Sequence, residues 1–267
     1  MHPIERLRYV ARASGVSQRV IVQETASALA SFGADPQGLV TACRRIVSRQ
    51  PTSGPLLWFG ARVLTAGDPR HEIWTAAGEV QADPTAAELA HAIPQDAVLT
   101  VLGWPDEIGE ALPRRGDTQV FVVDTLSEGS GFVSRLLRSD VDAIDVPLAG
   151  LGAAVAASTL VLLEAPAIGP TEFLAVSGSR AAAAVARHAG VPVWLVGGIG
   201  RLLPPRMWDG LRTRVERIDD PWEASDEFVP LDLVDCIVGP HGPEPVADAL
   251  RRTDCPVAPE LFRGEVF

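Results

Sequence analysis

Residues 158–198, STLVLLEAPAIGPTEFLAVSGSRAAAAVARHAGVPVWLVGG, leave few choices of architecture. Residues 160–163 form a short apolar run, and the Pro and Gly of residues 165–170 end it. An Ala-rich segment, 179–188, has helical character and stops at Gly190. Residues 191–196 then read as a second buried strand. Two parallel strands joined through a helix cross over right-handed, so the stretch predicts a βαβ unit in a covered parallel sheet. Ser177, Gly178 and Ser179 stand before the helix, where such sheets place their ligand crevice.

The rest of the chain divides in two. Up to about Pro94 the pattern is helical: Ile4, Leu7, Val10 and Ala11 at helical spacing, then 18–32 with Ser17 as N-cap and Gly33 as its end, 36–49, 56–65 and 85–92. The polar linker 67–84 reads as one more helix between turns. From Asp96 onward, β-branched runs at 98–102, 120–123, 143–146 and 236–238 alternate with helical segments at 105–112, 131–138 and 150–157. That alternation predicts an α/β protein: a helical domain over residues 1–95 and a Rossmann-like, largely parallel sheet domain over 96–267.

Charge and residue usage exclude several functions. A net charge of −11 opposes direct binding to nucleic acid or to an anionic membrane, and Arg44, Arg45 and Arg49 come nearest to a basic patch. The sequence has no lysine, which removes Schiff-base chemistry on lysine. Cys43, Cys236 and Cys255 fit neither a disulfide framework nor a zinc motif and suit a reducing cytoplasm. The N-terminal segment carries charges where a signal peptide needs an apolar core. Residues 146–163 approach a membrane span in length, but Pro147, Gly150 and Gly152 break the run into a buried helix and a strand.

Individual groups each carry a structural and a functional reading. Gly150 and Gly152 read as helix–sheet packing rather than a dinucleotide loop, and residues 197–200 as a turn rather than a phosphate loop. No two of His2, His71, His91, His188 and His241 have metal-ligand spacing, and no cofactor is implied. His188 suits a helix C-terminus, and His241 lies in a Gly/Pro-rich turn near the sheet edge. Asp124 is either a polar pocket group or a loop acid, and residues 223–227 read as a solvated acidic loop.

The order of segments resembles a known family. Pro51-Thr52-Ser53, VLTVL (98–102), VVDTLSEG (122–129), VDAIDVP (141–147), the 158–198 unit and FVPLDLVDCIVGPHG (228–242) follow one another as in the alpha, beta and delta subunits of translation initiation factor 2B. The metabolic relatives of those subunits are the methylthioribose-1-phosphate and ribose-1,5-bisphosphate isomerases. The resemblance implies a helical domain on a Rossmann-like domain and a homodimer. The isomerases' catalytic residues are not retained. Their cysteine position falls on Leu102, their aspartate on Pro166, their substrate-loop lysine on Val176, and two phosphate-contacting arginines on Leu126 and Gln50.

Three functions follow as expectations. The first is a catalytically degenerate protein with a regulatory or assembly role. It would bind a phosphorylated metabolite through Arg49, Thr52, Ser53, Gly129, Gly178, Ser179 and Arg180, with the helix N-terminus at 178–180 attracting the anion. The second is an active aldose-phosphate isomerase with a rebuilt site, in which Glu164 or Asp124 is the acid/base group. The third is a purely structural assembly subunit whose pocket is filled by its own side chains.

Overall fold

The structure, a computed structural model, describes residues 17–32, 35–216, 220 and 222–263. The expected first helix, around Ile4 to Ala11, and the Gly33 helix end lie outside the described residues.

Five helices come first: α1 (Gln18–Leu29), α2 (Pro36–Arg49), α3 (Gly54–Thr65), α4 (Pro69–Gln81) and α5 (Thr85–Ala92). Asp35 and Asp68 cap α2 and α4 by accepting backbone N–H groups of the first turn, with Pro at the first helical position of each. Ser17 makes no side-chain cap to α1; the Gln18 N–H instead donates to Asp106, far along the chain. Helix α3, GPLLWFGARVLT, is apolar on nearly every side and therefore sits at the centre of its layer. Trp58, Phe59 and Leu57 are fully buried there, among Ile21, Val22, Ile46 and Ile73.

The main sheet has seven strands in the order β10-β9-β7-β4-β1-β2-β3. They are β1 (Val98–Leu102), β2 (Gln119–Asp124), β3 (Asp142–Pro147), β4 (Leu160–Glu164), β7 (Val193–Val196), β9 (Cys236–Gly239) and β10 (Gly242–Pro245). All neighbours pair parallel except β10 with β9. The apolar runs of β1 and β4 are covered on both faces, as parallel strands require. The covering helices are α6 (Asp106–Ala111), α7 (Gly129–Leu137), α8 (Leu151–Ala157) and α9 (Ser179–Ala189). The α/β class with a largely parallel sheet is what the strand–helix alternation predicts.

The 158–198 unit is more than strand, loop, helix, strand. Its expected loop holds β5 (Ala167–Ile168) and β6 (Glu172–Val176), which join β8 (Asp226–Pro230) in a separate antiparallel sheet ordered β5-β6-β8. The second strand of the unit starts at Val193, because Pro192 has no N–H for the ladder. Past it lie α10 (Pro205–Val215) and α11 (Val246–Leu250), neither anticipated from the pattern. Met207, Trp208 and Leu211 of α10, with Ala258 and Leu261, pack into the core built by α1–α4. The late chain thus returns to complete the helical layer.

The glycines split likewise. A side chain on Gly150 would press on Val146, but one on Gly152 would meet nothing, so close packing explains only the first. The apolar run 146–163 is divided among β3, α8 and β4. Among the described residues no helix is long and apolar enough to cross a membrane.

Candidate functional site

Strand order reverses between β1 and β4. From β1 the chain steps outward through β2 and β3, then returns to β4 on the other side and proceeds to β7 and β9. Loops leaving such a pair diverge, which opens a crevice at the carboxyl ends of the strands. A cleft of about 680 Å³ lies there. It is lined by Leu102, Gly103 and Trp104 after β1, by Leu126, Ser127 and Glu128 after β2, and by Glu164 and Pro166 after β4. Val176, Ser179 and Asp226 close it from β6, α9 and β8, while Gln18, Thr52 and Arg201 reach it from the helical layer and the loop after β7. It is open, not filled by its own side chains.

Four of the positions onto which the resemblance maps the isomerases' functional residues meet in this cleft: Leu102, Leu126, Pro166 and Val176. The fifth, Gln50, stands at the C-cap of α2, away from the lining. Three aliphatic side chains and a proline thus stand around one space, and the carbonyl of that proline accepts the Gly54 N–H at 3.0 Å.

The helix N-termini around the sheet's carboxyl edge are already supplied with negative charge by the protein. Glu164 accepts the N–H groups of Asp106, Glu107 and Ile108 at 3.2, 2.9 and 3.1 Å, which caps α6. Asp124 accepts those of Glu128 and Gly129 at 3.1 and 3.2 Å at the start of α7. Glu227 accepts those of Gly178 and Arg180 at 2.7 and 3.0 Å at the start of α9. Asp83 accepts the Thr85 N–H at the head of α5 with one oxygen and the Ile199 N–H of the 197–200 turn, at 2.6 Å, with the other. Free N–H groups at a helix start attract anions; here each set named has a carboxylate on it.

The cationic charge that the described residues bring to the cleft is also committed. Arg201, only 3% exposed, donates to Glu164 at 2.9 Å and lies 3.6 Å from Glu107. Arg19 of α1 adds bonds to Glu107 at 2.7 Å and Glu110 at 2.8 Å. Burial pushes the Glu107 carboxyl up to about 7, with Arg201 pulling against it. Burial likewise raises Glu164, opposed by Arg201 and the backbone N–H groups. Asp226 is raised by burial as well, and among the described residues its carboxylate accepts one side-chain hydrogen bond, from the Ser225 hydroxyl at 3.3 Å.

Thr52 and Ser179, of the residues expected to bind a ligand, line the cleft. Arg49, Ser53, Gly129, Gly178 and Arg180 are not in its lining: Arg49 points to solvent, Ser53 caps α3 by accepting the Leu56 N–H, and Gly129, Gly178 and Arg180 give their N–H groups to Asp124 and Glu227. Glu164, which lines the cleft, and Asp124, which does not, both serve as helix caps. Residues 226–227, expected in a solvated loop, belong to strand β8 and supply Asp226 to the cleft and Glu227 to α9. Sequence reasoning also passed over Arg201, whose only signal was an arginine following the glycine-rich turn. His241 lines a second, smaller cleft of about 260 Å³ beside residues 197–200, at the ends of β7 and β9. Cys43 and Cys255 are buried and Cys236 partly so, and burial raises each thiol to about 12. Among the described residues no group of His, Cys, Asp and Glu could hold a metal ion.

The sequence matches no protein-family model and no curated protein. Solved structures do match. Translation initiation factor 2B from Pyrococcus horikoshii OT3 aligns with a TM-score of 0.74 at 12% identity, covering 93% of this chain and 98% of that one. The beta subunit from Chaetomium thermophilum aligns with 0.72 at 17% identity over 97% and 91%. A chain of the tetrameric complex of two beta and two delta subunits from C. thermophilum aligns with 0.76 at 18% identity over 93% and 91%. The helical layer and the doubly wound sheet are matched along nearly the whole length of each. This chain has the fold of the initiation factor 2B subunits.

Proposed function

We propose that this protein is a catalytically inert relative of the initiation factor 2B subunits that works by associating with other protein chains, its own copies among them, in the cytoplasm. The observation that carries this reading is the convergence of Leu102, Leu126, Pro166 and Val176 on one cleft whose only guanidinium among the described residues is held by Glu164 and Glu107. Isomerisation of a sugar phosphate needs a proton donor and acceptor at the carbons and free cationic or N–H groups for the phosphate. Among the described residues, the guanidinium in the lining is already paired with carboxylates. A regulatory phosphorylated metabolite, the other role a cleft of this family suggests, would have to displace Glu227 from α9 to reach the backbone N–H groups.

Association is supported by the strand edge that the main sheet leaves open. Strand β3 ends the sheet, and Ile144 on it and Leu148 just after it are 44% and 51% exposed. Unpaired strand edges with exposed apolar groups favour contact with a further chain. The C. thermophilum relative in its tetramer is an assembled protein of this fold.

Two measurements test the reading. Wild-type protein incubated with methylthioribose 1-phosphate and ribose 1,5-bisphosphate should give no ketose product, and sedimentation should report an oligomer that Ile144→Asp with Leu148→Asp dissociates. Turnover of either sugar phosphate, or a monomeric wild type at every concentration, would overturn it.

A further inference from the structure

We propose that the cleft at the β1–β4 switch point binds an organic cation, an ammonium or guanidinium group carried on an apolar body. The proposal rests on the reading above, in which the cleft has given up phosphate chemistry. The wall supplies apolar area: Leu102 and Val176 within, and at the rim Trp104 and Leu126, 41% and 44% exposed. A volume of about 680 Å³ is that of a small-molecule site. Aromatic and aliphatic walls of this kind hold the body of an amphipathic ligand, and an aromatic face also attracts a cation.

The polar side of the cleft fixes the sign of the ligand. Among the described residues four carboxylates line it, Asp106, Glu128, Glu164 and Asp226, against the single guanidinium of Arg201. Glu164 is satisfied by Arg201 and three N–H groups, and Asp106 accepts the Gln18 N–H at 3.1 Å. Asp226 differs from both. It is half-buried on β8, at the wall of the cleft, with the Ser225 hydroxyl as its side-chain partner and no cation among the described residues. A carboxylate held in that setting lacks the counter-charge that usually accompanies burial, and a ligand cation in the cleft would supply it. Glu128, exposed at the opposite rim with no side-chain bond among the described residues, extends the same field over the entrance.

The test compares three probes of one shape: phenethylammonium, its uncharged analogue 2-phenylethanol, and the anion 3-phenylpropanoate, each titrated calorimetrically and by thermal unfolding against the full chain. Phenethylammonium should bind saturably and raise the midpoint, while the alcohol and the anion should not. In Asp226→Asn its affinity should fall about tenfold, the loss of roughly one charge contact. Trp104→Ala should weaken it too, and Glu128→Gln provides a surface variant should Asp226→Asn not fold. Equal binding of the alcohol, unchanged affinity in both carboxylate variants, or no saturable binding of the cation would overturn the proposal. Inorganic phosphate and ribose 5-phosphate form a separate arm: stabilisation by either would overturn the reading of an inert, phosphate-free cleft, whatever the cation does.

Discussion

The Glu227 carboxylate reaches across from β8 to the start of α9 and accepts the Gly178 N–H at 2.7 Å, in the place where a ligand phosphate would lie in a phosphate-binding helix start. Gly178 has φ of 100°, a backbone conformation that glycine tolerates and that turns its N–H toward that carboxylate. In Glu227→Ala those N–H groups are left free. Stability should fall by about 1–2 kcal/mol, the usual worth of a charged cap. Inorganic phosphate should then stabilise the variant and not the wild type. Unfolding curves with and without phosphate decide it; the same response from both proteins would show that Glu227 does not occupy the anion position.

Glu164→Gln tests whether that residue is structural. The change leaves buried Arg201 with Glu107, 3.6 Å away, and the field of Asp106 to balance it. Removing one member of a buried charge pair costs about 3–5 kcal/mol, so the urea midpoint should drop by an amount no surface substitution produces. A midpoint within about 0.5 kcal/mol of wild type would mean the pair is not held as described.

Glu107 gives a pH dependence with a definite sign. Its carboxyl is raised by burial from an ordinary 4.5 to about 7. Between those values the folded protein keeps a proton that the unfolded chain has lost. Its contribution is therefore complete below pH 4.5 and is lost as pH rises through 7. Stability measured across that window should decline more steeply in wild type than in Glu107→Gln, and parallel profiles would refute the assignment.

Ser53 joins two helices. Its hydroxyl donates to the Gln18 side chain and accepts the Leu56 N–H at 3.2 Å, with the residue 2% exposed. Ser53→Ala should cost about 1–2 kcal/mol, at the upper end for a lost N-cap because a second polar group loses its donor. Ser53→Thr, which keeps the hydroxyl, should recover part of that loss, as thermal unfolding of the two variants would reveal.

What could be read from the sequence was local or strongly patterned. The runs of β1, β2 and β4 and the Ala-rich α9 ending at Gly190 each announce themselves within a dozen residues. The small sheet does not, because β6 pairs with β8, some fifty residues later, and the Pro and Gly around β5 read as a loop. The site was legible as a place, the crevice beside the 158–198 unit, and as a set of replaced positions. Its electrostatics were not. Asp226 and Glu227 looked like two more acids in an acidic loop, since only the tertiary fold aims one at the cleft and the other at a helix start. Gly178 and Arg180 looked open to a ligand for the same reason.

Arg19, on the first described helix, holds Glu107 and Glu110 of α6 and the Asp83 carbonyl at 2.7, 2.8 and 3.3 Å. Its consequence concerns how the molecule comes apart. If α1 lifted away alone, Glu107 would remain inside the protein with one of its two cations gone, and Asp106 would lose the Gln18 amide it accepts. The helical layer therefore has no cheap way to breathe. The amides of α1 and α6 should exchange together rather than fray one helix at a time.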